Sequence, residues 1–267
     1  MSKGISIHIG LNSVNPEHYQ GWDGQLTACE YDAHDMEALA KKQGFATRVK
    51  LLTKQATANA VITNLRAAAK QLVAGDFLFL TYSGHGGQVP DMNHDEDEND
   101  RQDETWVLYD RELIDDELYT LWSKFKKGVR IAVLSDSCHS GTVLRARPTP
   151  GKRNRAMPPV VAVRTYKANK KLYDEIQKAT PAAERAKINA SVLLISGCQD
   201  NQTSLDGNRN GLFTETLRKV WANGKYKGGY QTFRNKLASK MPSSQSPNIY
   251  RVGVLDATFA GQKPFTL

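Results

Sequence analysis

The chain has 267 residues, 40% hydrophobic and 24% charged, with 36 Lys+Arg against 28 Asp+Glu and a formal net charge of +8. This is an ordinary globular composition, long enough to bury a core, and no apolar run approaches the ~20 residues of a membrane helix. Three cysteines at unrelated spacings, Cys29, Cys138 and Cys198, argue against a disulfide framework or a zinc site and predict free thiols in a cytoplasmic protein.

Residues 5–11 read as a strand, too short and too interrupted by His8 for a signal peptide. A helix over 28–43 stopped by Gly44, a strand over 47–52 and a helix over 57–73 ended by Gly75 follow. Residues 77–82 form a continuous apolar strand, 106–109 a short strand, 115–126 a helix ended by Gly128, and 129–134 a second apolar strand. This alternation predicts an α/β fold, a mainly parallel sheet with helices on both faces. Residues 145–163 hold four prolines and no periodicity, and read as an exposed loop. A helix over 168–187 pausing at Thr180-Pro181, a strand over 191–197, helices over 212–221 and 230–241, and a last strand over 250–254 complete the chain.

The net charge averages two opposed blocks. Residues 91–117 hold 13 of the 28 acids and only two bases, Arg101 and Arg111, whereas 145–171 hold nine bases and no acid. The basic block lacks interleaved aromatics apart from Tyr166, which argues against a nucleic-acid surface.

Both apolar strands end in small, polar, glycine-containing turns: Ser83-Gly84-His85-Gly86-Gly87 and Ser135-Asp136-Ser137-Cys138-His139-Ser140-Gly141. Ligands of parallel sheets bind beyond the carboxyl ends of the strands. Neighbouring strands would therefore bring His85 and Cys138 to one crevice, where a thiolate and a base suffice for nucleophilic catalysis. His139 is a rival base, but sequence neighbours at a turn rarely face one another. Asp32 lies on the apolar stripe of Cys29, Ala33, Met36, Leu39 and Ala40, where a carboxylate is costly unless paired. The alternative is a first-turn aspartate favoured by the helix dipole. With Asp136, it would suit an Arg or Lys side chain.

The two turn blocks resemble the catalytic blocks of metacaspases, the caspase-like cysteine peptidases. The likeness covers roughly residues 3–145 and, more weakly, 190–253. It implies a caspase-like three-layer sandwich in one compact domain: a large-subunit-like region over 1–144, a linker over 145–190 and a small-subunit-like region over 191–267. It implies a Cys138–His85 dyad, an oxyanion hole from the N–H groups of Cys138 and Gly86, and cleavage after Arg or Lys through an S1 pocket of Cys29, Asp32, Ser83 and Asp136. It also implies a monomer acting on peptide substrates. The chemistry requires no cofactor.

Calcium as an activator is a further implication, with Asp103, Asp115 and Asp116 at family ligand positions. Arg145 stands where many calcium-dependent members carry a fourth, acidic ligand, which argues against a complete site. The basic loop is where the family is often cut, and Arg145, Arg147, Lys152, Arg153, Arg155, Arg164 and Lys167 all qualify as self-cleavage positions. The alternatives are a non-catalytic scaffold or sensor and, on charge alone, a nucleic-acid-binding protein.

Overall fold

The computed structural model describes residues 2–92, 101–138, 154–180, 187–199, 202 and 204–267. In chain order the strands are β1 (Gly4–Gly10), β2 (Thr47–Leu52), β3 (Phe77–Ser83), β4 (Gly86–Pro90), β5 (Gln102–Val107), β6 (Glu112–Ile114), β7 (Arg130–Asp136), β8 (Ser191–Ser196) and β9 (Asn248–Gly253). Six of them form one sheet in the order β2-β1-β3-β7-β8-β9, and β4-β5-β6 form a smaller antiparallel sheet. In the large sheet the first five strands run parallel and β9 closes the edge antiparallel to β8.

Period-two alternation sorts the strand side chains into two cores. Ile5, Ile7, Ile9, Leu78, Leu80, Tyr82, Ile131 and Val133 face α2 (Ala58–Gln71) and α3 (Asp115–Trp122). Phe77, Phe79, Ala132, Leu134, Leu193 and Ile195 face α1 (Cys29–Lys42), α6 (Leu212–Trp221), α7 (Tyr230–Ala238) and α8 (Ala257–Gly261). Both faces of the sheet are therefore covered, which is why its inner strands read as unbroken apolar runs. Helix α2 starts where Thr57 accepts the Ala60 N–H, and the turn after α1 passes through Gly44 at φ +88°, a conformation disfavoured for other residues.

The predicted elements hold, with shifted ends, up to β7. The basic stretch departs from expectation. Residues predicted as an exposed loop include 154–157, most of which is buried, and 159–163, which open helix α4 (Pro159–Ala168) with Pro159 at its first turn. The helix expected over 168–187 is found as α5 (Lys170–Ala179), which ends at the expected pause at Thr180; residues 181–186 lie outside the described residues, and α4 precedes α5 as a separate helix. The break falls at Asn169, whose side-chain amide donates to the Thr165 and His18 carbonyls. The α4–α5 pair covers the small sheet through Tyr166, Tyr173 and Ile176 against Val89 and Ile114. Strands β4 and β6 carried no sequence signal strong enough to be predicted, being short and, in β4, rich in glycine.

Beneath that cover, Glu112 is fully buried and accepts the Thr105 hydroxyl at 2.6 Å, while its second carboxyl oxygen has no partner among the described residues. Burial pushes its pKa up to about 8 against the favourable hydrogen bonds of Thr105 and Tyr173. The folded chain therefore keeps this proton where an unfolded glutamate, near 4.5, has lost it. Stability from this group is fully present below pH 4.5 and is lost as pH rises toward 8, by at most roughly 1.4 kcal/mol per unit. Glu112→Gln should flatten that decline, read by urea unfolding at pH 5, 6.5 and 8; parallel wild-type and variant profiles would contradict a protonated Glu112.

Candidate active site

Strands β3 and β7 are parallel neighbours with Ser83 opposite Asp136, so the two polar turns leave the same edge of the sheet side by side. The backbone of His85 is pinned there, its carbonyl accepting the Tyr82 hydroxyl at 2.6 Å and the Val107 N–H at 3.0 Å. Its ring packs edge-on to Trp22 and places Nε2 2.9 Å from the Gly24 carbonyl. A carbonyl can only accept, so Nε2 carries the hydrogen and Nδ1 keeps its lone pair. That Nδ1 is buried and has no hydrogen-bond partner among the described residues. Burial lowers the ring's pKa to about 4, the Gly24 contact opposing it and Arg155 reinforcing it, which leaves a neutral base. Cys138 is fully buried in contact with Ala156 and Cys198, and its thiol donates to the Gln202 carbonyl.

A segment of the chain itself lies across these groups. Residues 154–157 pair on one side with the 204–205 stretch and on the other with Gly86. The Arg155 N–H donates to Ser204 O at 2.9 Å, and the Met157 N–H donates to Gly86 O at 2.8 Å. Between them the Arg155 carbonyl accepts two N–H groups, those of Gly86 and Cys138, each at 3.0 Å. These are the donors that the sequence resemblance assigned to an oxyanion hole, converging on one peptide carbonyl. Met157 then fills an apolar recess with Val14, Tyr19 and Val107.

The Arg155 side chain enters a pocket at the junction of α1, β3, β7 and α6 and is 0% exposed. Its Nη1 lies 2.8 Å from Ser83 Oγ and 2.9 Å from Asp136 Oδ2, and its Nη2 lies 2.8 Å from Asp32 Oδ2 and 2.9 Å from Asp206 Oδ1. A buried guanidinium is costly unless paired, and here three carboxylates surround it. The carboxylates are satisfied in turn. Asp32 accepts from Ser83 Oγ, Asn210 Nδ2 and Gly211 N; Asp136 accepts from Ser204 Oγ and from the N–H and hydroxyl of Thr214. Gly211 and Thr214 belong to the start of α6, so its N-terminal turn directs N–H groups at two carboxylates. Burial, with Asp136 nearby, raises Asp32 to about 6 in spite of Arg155, so this carboxylate depends on the cation. Cys29 lies beside the Ser83 hydroxyl, and burial raises its thiol pKa, so it stays protonated as part of the pocket wall.

Of the four pocket residues the resemblance implied, all stand at this pocket. Sequence reasoning missed Ser204, Asp206, Asn210 and Gly211. A signal existed: 204–211 is a polar, glycine-containing stretch soon after β8, another parallel strand of the same sheet, to which the strand-end rule applies equally. Gly211 matters for its size, because a Cβ there would stand 2.6 Å from Arg155 Cζ. Of the seven basic positions, Arg155 alone among the described ones reaches the site; Arg164 and Lys167 are exposed on α4. Arg145, Arg147, Lys152, Arg153 and the rival base His139 lie outside the described residues.

Asp103 and Asp116 are buried and Asp115 is half-buried. Among the described residues no three His, Cys, Asp or Glu side chains are grouped so as to hold a metal ion.

A family model described as the caspase domain (Peptidase_C14) matches residues 13–259. Metacaspase-1 of Saccharomyces cerevisiae strain S288c is 30% identical over 291 aligned positions, covering 91% of this chain and 65% of that protein. Metacaspase-1 of Kluyveromyces lactis is 28% identical, covering 81% of this chain and 57% of that protein, so the chain spans somewhat under two thirds of these curated relatives. The crystal structure of protein GSU0716 from Geobacter sulfurreducens aligns over 99% of this chain and 98% of that one with a TM-score of 0.91 and 54% identity. Caspase-1 from Spodoptera frugiperda shares the fold, with a TM-score of 0.54 at 10% identity, over 94% of this chain and 86% of that one.

Removing the cation should expose what it holds. Arg155→Ala should cost about 3–5 kcal/mol at pH 7, because three buried carboxylates lose their partner. Burial already raises Asp32 against the pull of Arg155, and loss of the guanidinium raises it further, so the deficit should shrink as pH falls toward 5. Denaturant unfolding at both pH values measures this, and equal stability of variant and wild type would mean that water replaces the guanidinium at no cost.

Proposed function

This chain belongs to the caspase-domain family, and from there we propose that it is a cysteine endopeptidase that cleaves after arginine, first in its own chain at the Arg155–Ala156 bond. One observation carries the proposal. The Arg155 carbonyl accepts both oxyanion-hole N–H groups while its side chain fills a carboxylate-lined pocket.

In this reading Cys138 Sγ attacks the Arg155 carbonyl carbon and its proton passes to His85 Nδ1. The oxygen gains negative charge where the Gly86 and Cys138 N–H groups already point, so little reorganisation is needed. Collapse breaks the Arg155–Ala156 bond, and the Ala156 amine leaves with the proton held on His85. A water, giving its proton to His85, then hydrolyses the thioester, which frees the Arg155 carboxylate and restores the thiol. The neutral Nδ1 lone pair is the group such proton transfers need. Segment 154–157 also occupies the pocket that any other substrate would use, so the intact chain is latent toward other peptides until that segment leaves.

Mass spectrometry of the incubated protein, with calcium and with a chelator, tests the reading. Wild type should yield fragments spanning 1–155 and 156–267, whereas Cys138→Ala should stay intact and His85→Ala should be slowed at least ~100-fold. An intact wild-type mass under both conditions would overturn self-cleavage. Gly211→Ala, by closing the space the guanidinium needs, should also abolish the fragments while leaving a cooperatively folded chain by thermal melting.

A further inference from the structure

Two of the carboxylates around Arg155, Asp32 and Asp136, stand at the ends of elements that frame the pocket. The third, Asp206, comes from the stretch between β8 and α6 and is 5% exposed. It is not free to turn. Its Oδ2 accepts the Thr27 N–H at 2.8 Å and the Thr27 hydroxyl at 2.9 Å, and Oδ1 accepts the Ala28 N–H at 3.3 Å. Held this way, Oδ1 meets Nη2 of the guanidinium at 2.9 Å. Burial opposes its charge, but Arg155 and the Thr27 contacts outweigh burial and keep it ionised.

The division of labour over the guanidinium is specific. Nη1 serves Ser83 and Asp136, and Nη2 serves Asp32 and Asp206. Those acceptors are spread over two nitrogen atoms of one rigid plane. A lysine presents a single nitrogen with three hydrogens on a shorter, unforked chain. Placed between Asp32 and Asp136 it would leave Asp206, fixed by Thr27 and Ala28, with an unpaired charge in a dry pocket. Resting on the endopeptidase reading above, we propose that Asp206 is a specificity-determining residue: it sets arginine above lysine at the position preceding the cleaved bond.

Two measurements decide this. In the first, wild type and Asp206→Asn, each incubated until self-cleaved and compared at equal concentration of the cleaved form, act on matched peptides that differ only in Arg or Lys before a fluorogenic leaving group. Wild type should favour Arg by at least ~10-fold in kcat/KM. Asp206→Asn, which keeps the residue's size, should lose ~10- to 100-fold toward Arg, mainly through KM, and under ~3-fold toward Lys, in line with one charged hydrogen bond. An unchanged Arg/Lys ratio, or a wild type indifferent to the two, overturns the assignment.

The second measurement needs no turnover. In a Cys138→Ala background, Arg155→Lys is combined with Asp206→Asn in a double-mutant cycle of unfolding equilibria. The lysine substitution should be at least ~10-fold more damaging when Asp206 is intact than when it carries the Asp206→Asn change; additive effects would sink the assignment. A wild type that turns over neither peptide defeats the endopeptidase reading, and the cycle still decides the role of Asp206.

Discussion

A single guanidinium, enclosed and dry, is the constraint around which this molecule is arranged. Arg155 brings one positive charge to three buried carboxylates, each of which is costly below the surface without a cation beside it. The carboxylates come from the first turn of α1, the end of β7 and the stretch before α6, so the ion cluster ties together elements far apart in sequence. Backbone donors at the helix starts do the rest: Thr27 and Ala28 before α1, Gly211 and Thr214 at α6. Two helix N-termini aimed at one acidic pocket explain how so much negative charge is accommodated below the surface.

The backbone of the same segment is fixed by different means. Strand-like pairing to 204–205 on one side and to Gly86 on the other sets its depth and direction, as in peptide recognition by strand addition. Gln245, itself fully buried, braces the outer member of that pairing by accepting from the Leu205 N–H and donating to Ser204 Oγ and the Gly197 carbonyl. Side chain and main chain thus locate the Arg155 carbonyl independently, and both place it against the donors of Gly86 and Cys138.

What was legible in the sequence was what local pattern records. The strands leading to His85 and Cys138 are apolar without interruption because both faces of the sheet are covered, and polar, glycine-containing turns at their ends pointed to the crevice. Asp32 stood out as a carboxylate on an apolar stripe, and the structure confirms that it is buried and paired. Its partner was not legible. Arg155 was one base among many in a proline-rich stretch, and basic, aperiodic sequence ordinarily lies in solvent. The features that single it out, the Ser204 carbonyl, Asp206 and the missing side chain at Gly211, lie about fifty residues later in the chain. Nonlocal pairing of that kind leaves no periodic trace.

The position of Arg155 has a topological consequence. It lies in the connection between β7 and β8, which are adjacent, hydrogen-bonded partners over six residue pairs near the middle of the sheet. Severing the backbone there adds two chain ends but subtracts no strand pairing and opens neither core. The pieces on either side remain sewn together by the ladder and by the shared packing of Leu134 and Leu193 against Phe213 and Leu217. A two-chain form of this protein would accordingly be one body rather than two, with its new ends at the site and its architecture unchanged.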